Sequence, residues 1–151
     1  MATVELRFSA QPEHVRTARL VAAAVARRAG VDEAVLDEVR LAVGEACSRA
    51  VGLHRSSGVT TPVRVVLTEE EKTFSIEVGD GAPGTGAAAD AAGVPGARGE
   101  APAEGFAETD VEDEMGLAVI RGLVDDVEVR AGEEGGVIRM TWPITPAVVL
   151  P

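Results

Sequence analysis

Asp80 closes an alternating run in which Phe74, Ile76 and Val78 share its parity. A strand that holds this register turns the carboxylate toward the same layer as the apolar side chains. A carboxylate sent there needs hydrogen-bond donors, because burying it unpaired is costly or forces it neutral. The residues after it, Gly81-Ala82-Pro83-Gly84, let the chain turn sharply and admit a flat ligand close to the backbone. Seen alone, Asp-Gly has a plainer explanation, an Asx-turn at a strand end. Glu45 and Arg49 stand one helical turn apart, where an acid and a base can serve chemistry or simply form an i,i+4 ion pair. Gly116-Leu117 opens a third candidate segment. Free backbone N–H groups at a helix start hold phosphate, although any amphipathic helix can begin with glycine.

The elements that must position these residues follow from periodicity. Val4, Leu6 and Phe8 alternate with polar residues and predict a half-buried strand. Pro12 and Glu13 open a helix to about Ala29, stopped by Gly30, with Val15, Ala18, Val21, Ala22 and Val25 on its apolar side. Asp32 is a fitting N-cap for a second helix to about Leu53. There Val35, Leu36, Val39, Val43, Ala46 and Ala50 form one stripe, bordered by Glu38, Glu45 and Arg49. A loop is expected from His54 to Thr61. A hairpin follows, built from the runs around Val65 and Ile76.

Residues 81–113 are dominated by Gly, Ala and Pro, the composition of a flexible linker, and read as a lid within one domain spanning 1–143. Arg98 is the lid's one tryptic site, where limited proteolysis is expected to cut first. A short helix from Gly116 to Leu123 and a last hairpin, with strands around Val127 and Ile138, complete the order. Residues 144–151 read as a proline-rich tail outside the core. Hairpins supply most strand pairs, so the expectation is an α+β two-layer sandwich: a mixed, mainly antiparallel sheet covered on one face by helices.

At 151 residues the chain suits one domain, and its net charge of −11 excludes the phosphate-neutralising footprint of a nucleic-acid binder. One cysteine, Cys47, rules out an internal disulfide or a multi-cysteine zinc site and reads as a small core residue. No stretch is apolar enough for a signal peptide or a membrane span, so a cytoplasmic protein is expected.

Taken together, an acid on a helix, Asp-x-x-x-Gly after a strand, a long lid and Gly-Leu at a helix start resemble the pocket of the GHKL ATPase superfamily. LDEVRLAVGEACSRAV is similar to the "LRLAVSEACTNAV" helix of its anti-sigma-factor serine kinase branch, and EMGLAVIRGLVDDVEV to that branch's "GLGLALIRALADEVEV". The likeness runs from about Val4 to Trp142. It implies the Bergerat fold, with Glu45 in place of the general base and Asp80 receiving the adenine amino group of ATP or ADP. It also implies that Gly84 packs on the base, that Gly116 and Leu117 wrap the phosphates, and that Arg19 lies near the sigma-factor contact. The implied partners are an alternative sigma factor, a STAS-domain anti-anti-sigma factor and a second copy of the chain.

Departures from the pattern shift these expectations. Arg49 stands where the family has the asparagine that ligates magnesium, and a guanidinium offers no lone pair to a hard cation. Magnesium is therefore doubtful. Arg49 would either neutralise phosphates directly or pair with Glu45. Ala82 replaces a family glycine, the threonine expected near Gly136 is missing, and the histidine usual after the asparagine is displaced to His54, expected in a loop. The reading is an anti-sigma factor with an adenine-nucleotide pocket, an active protein-serine kinase being the alternative, along with a pocket of altered or no ligand.

Overall fold

Local signals set the two long helices. The computed structural model describes residues 2–82 and 116–144. After β1 (Ala2–Phe8), α1 (Pro12–Ala29) starts with proline at N1, where its missing N–H costs nothing. It carries Glu13 in its first turn and Arg27 and Arg28 in its last, each matching the helix dipole. Gly30 ends it at φ 106°, a left-handed conformation that glycine takes without strain, and its N–H bonds back to the last turn. Asp32 caps a single 3-10 turn, Glu33–Val35, through the N–H of Ala34 at 2.9 Å. The α-helix proper, α2 (Leu36–Ser57), follows it and ends at a left-handed Gly58. It runs four residues beyond the expected end at Leu53, so His54 belongs to the helix and not to a loop.

The remaining elements are β2 (Val63–Glu69), β3 (Thr73–Asp80), α3 (residues 116–123), β4 (Asp126–Gly132) and β5 (Gly135–Pro143). The sheet order is β1-β2-β3-β5-β4 with every neighbouring pair antiparallel, so among the described residues the sheet is antiparallel throughout and not mixed. Each chain reversal here is a hairpin or passes through helices that return the strand antiparallel to its neighbour.

One row of the helix-facing side runs Leu6, Val65, Val78, Ile138, Val129 across all five strands, and the next runs Val4, Leu67, Ile76, Met140, Val127. Helices α1 and α2 cover these rows. Val39, Ala42, Val43, Ala46, Cys47 and Ala50 of α2 press on the sheet, while α1 contributes mostly alanines, with Val21 and Val25 only half-buried at its flanks. With few aromatics available, alanine keeps the layers close enough to close the core. Phe74 and Trp142 supply the bulk at one end, and the Trp142 indole donates to Glu38 of α2. The core continues one residue past β5: Ile144 is buried and its N–H bonds to the Lys72 carbonyl. Residues 145–151 and most of the lid, 83–113, lie outside the described residues.

The opposite face is mostly polar and partly exposed, although Ser75 on it is buried. Glu5, Val66, Glu77, Arg139 and Glu128 make a row of mostly alternating charge across it. The depression lined by Glu77, Glu128, Arg130, Val137 and Arg139 encloses about 60 Å³, too little for a nucleoside.

Candidate functional site

The pairing of β3 with β5 places Asp80 opposite Gly136 at the end of the sheet, in the parity of the core rows. The side chain is 3% exposed. Its Oδ1 accepts the N–H of Ala82 at 2.9 Å, an Asx-turn, and the N–H of Gly136 at 3.3 Å. Oδ2 faces the Arg49 guanidinium of α2 at 3.9 Å, and that side chain is 5% exposed. The carboxylate is thus held by two backbone donors and one buried cation, the company that a buried anion requires. Glycines make the enclosure sterically feasible. A Cβ on Gly136 would stand 3.0 Å from Asp80 Oδ2, and one on Gly135, at φ 128°, would overlap the Asp80 carbonyl. The Asx-turn and the buried carboxylate, set against each other as alternatives by the sequence, are here one arrangement.

Arg49 therefore reaches Asp80, a contact the sequence did not indicate. The two alternatives considered for it were phosphate and Glu45; the structure adds Asp80. Arg49 occupies the asparagine position of the resemblance, and among the described residues no group of three or more His, Cys, Asp or Glu is placed to hold a metal.

The structure also brings Glu45 to Gly116: Glu45 Oε2 lies 3.7 Å from where a Cβ on Gly116 would stand. An acid of α2 and the described start of α3 thus meet across the lid ends. Leu117 sends its side chain into the core, leaving its backbone for any ligand contact. Arg19 of α1 lies over Gly44, where a Cβ would stand 3.0 Å from the Arg19 Cδ, so its stem packs on α2 at Gly44. Gly84 lies outside the described residues.

His54 is the residue that sequence reasoning placed wrongly. It is fully buried in the last turn of α2, and its Nε2 accepts the Gly81 N–H at 2.7 Å. The signal available was its place three residues beyond Val51 and four beyond Ala50, which keeps it on the buried stripe.

Comparison with known proteins agrees with this architecture. No curated protein matches the chain in sequence. Among solved structures it is similar to the RsbU and RsbW domains of Rv1364c from Mycobacterium tuberculosis, with a TM-score of 0.65 and 16% identity. That likeness covers 100% of this chain and 34% of the other, so the chain spans about a third of the length of that protein. Residues 8–142, from the end of β1 to the last buried aromatic of β5, match the histidine kinase-like ATPase domain. With Asp80 enclosed at the end of an antiparallel sheet under two helices, and a family match over nearly the whole chain, the protein belongs to the histidine kinase-like ATPase domain family.

Proposed function

We propose that the chain is a cytoplasmic, homodimeric anti-sigma factor. It sequesters an alternative sigma factor, and a STAS-domain anti-anti-sigma partner releases it by competing for the same surface. An adenine nucleotide, ATP or ADP, occupies a pocket floored by Asp80. The observation that carries this reading is the Asp80 carboxylate, 3% exposed at the end of β3, at the position where the resemblance expects the adenine-binding aspartate. Family membership supports nucleotide binding in general. The likeness to a structure that contains an RsbW domain, together with the α2 and α3 sequences quoted above, supports the partner-switching role.

In this reading Asp80 accepts the adenine amino group, and Gly84 makes room for the ring. Gly116 and Leu117 present backbone N–H groups to phosphate. Arg49 contributes positive charge where the family would hold a metal. Calorimetric titration with ATP and ADP, with and without magnesium, tests the pocket. Binding that is indifferent to magnesium and weakened about 10-fold to 100-fold by Asp80→Asn is expected. No heat with either nucleotide would refute the pocket.

A second reading, an active protein-serine kinase acting on the STAS partner, is favoured by Glu45 lying against Gly116. When bound, the nucleotide supplies the phosphoryl group, and Glu45 would take the proton of the attacking hydroxyl. Incubation with labelled ATP, magnesium and the STAS partner separates the readings. Label on a partner serine that disappears on Glu45→Ala establishes the kinase, and an unlabelled partner leaves sequestration alone.

A further inference from the structure

His54 is a buried polar side chain to which the proposed function assigns no role. Its Nε2 accepts the Gly81 N–H at 2.7 Å, so that nitrogen carries no proton and the ring is the neutral Nδ1–H tautomer. Nδ1 is itself buried and has no hydrogen-bond partner among the described residues. An apolar side chain of similar size would fill this space without orphaning a donor. The imidazole is therefore explained by what its other nitrogen does.

The N–H it holds belongs to the Asp80–Gly81 peptide. That unit is planar, so fixing the direction of the Gly81 N–H also fixes the Asp80 carbonyl, and with it the backbone from which the carboxylate projects. The site is tight around this peptide. A Cβ on Gly81 would stand 2.9 Å from Thr61 Oγ1 and 3.4 Å from Val59 Cγ1. The carbonyl of His54 in turn accepts the Val59 N–H at 2.9 Å. Through its ring and its backbone, His54 fastens the end of β3, the segment around 59–61 and the end of α2 at one point.

We infer that His54 is a positioning residue for the nucleotide pocket: through the Gly81 N–H it orients the Asp80–Gly81 peptide so that the Asp80 carboxylate meets the base. This rests on the reading of Asp80 as the adenine acceptor. It assigns the displaced histidine a hydrogen-bond role with one defined tautomer.

Two measurements on the full chain test it. In the wild-type protein, nitrogen NMR of the imidazole is expected to show a protonated Nδ1 and a bare Nε2, with slow exchange of the Gly81 amide. A proton on Nε2 overturns the inference. In variants, His54→Phe keeps an aromatic ring without the acceptor, while His54→Gln returns an oxygen near the Nε2 position. His54→Phe is expected to speed Gly81 amide exchange and to weaken ATP binding about fivefold to tenfold, the worth of one hydrogen bond. His54→Gln should recover both to within about twofold. Equal losses in the two variants would mean that ring packing, and not the hydrogen bond, matters, and would overturn it. Should His54→Phe fail to fold, the wild-type tautomer decides. If the wild type binds no ATP, the nucleotide reading falls, while the tautomer and the Gly81 amide still report whether His54 holds that peptide.

Discussion

Asp80→Asn and Asp80→Ala separate the structural work of this side chain from its ligand work. Asparagine keeps an oxygen for the N–H groups of Ala82 and Gly136, whereas alanine leaves both donors without that acceptor and also removes the carboxylate that faces Arg49. Chemical denaturation is expected to show alanine as the worse substitution, by about 1–3 kcal/mol. Both are expected to weaken ATP binding by about 10-fold to 100-fold, the effect of removing a charged acceptor. Arg49→Asn restores an amide oxygen that a hard cation accepts, so nucleotide titrations of that variant should become magnesium-dependent where those of the wild type are not. Cys47 gives a pH-dependent test. Burial pushes its thiol from the ordinary 9.0 up to about 12. The folded protein keeps this proton while the unfolded chain releases it, so the contribution is complete below about pH 9 and lost as pH rises toward 12. Alkylation at pH 8 should accordingly modify Cys47 only after denaturant unfolds the chain, and rapid labelling of the native protein would contradict its burial.

Elements differed in how far the sequence revealed them, according to how local their determinants are. Helix α1 was legible to the residue because proline at N1 and the left-handed Gly30 are signals carried by its own ends. The end of α2 was not. The polar run from His54 to Ser57 looks like a loop until the bond from His54 to Gly81, 27 positions away, is known. The same holds for Arg49, whose contact with Asp80 depends on how α2 crosses β3. Alternation in β2, β3 and β5 gave the core faces correctly, including the inward parity of Asp80, because a period of two fixes which side chains share a face. The β4–β5 turn is a place to test this geometry. Gly135 has φ 128° and no room for a Cβ beside the Asp80 carbonyl. Gly135→Ala is therefore expected to lower the unfolding free energy by about 2 kcal/mol, seen as a lower denaturation midpoint with an unchanged denaturant slope.

For the whole molecule, the sequence indicated the two-layer class and the order of elements, but not that the sheet would be antiparallel at every pair. That outcome depends on β5 inserting between β3 and β4, a long-range choice. A net charge of −11 sets the terms of association with a basic partner. Under the proposed role, raising salt beyond physiological strength should slow the association of this chain with a sigma factor more than it speeds dissociation, which stopped-flow measurements would show. The position of β5 has a kinetic consequence. Asp80 is held on one side by its near neighbour Ala82 and on the other by Gly136, 56 residues further along the chain. The enclosure of Asp80 is therefore complete only after the last hairpin has docked, and it opens when that hairpin peels away. A nucleotide bound there would act as a clasp on the final folding step, slowing detachment of β4 and β5 and deepening the hydrogen-exchange protection of their amides in proportion to ligand concentration.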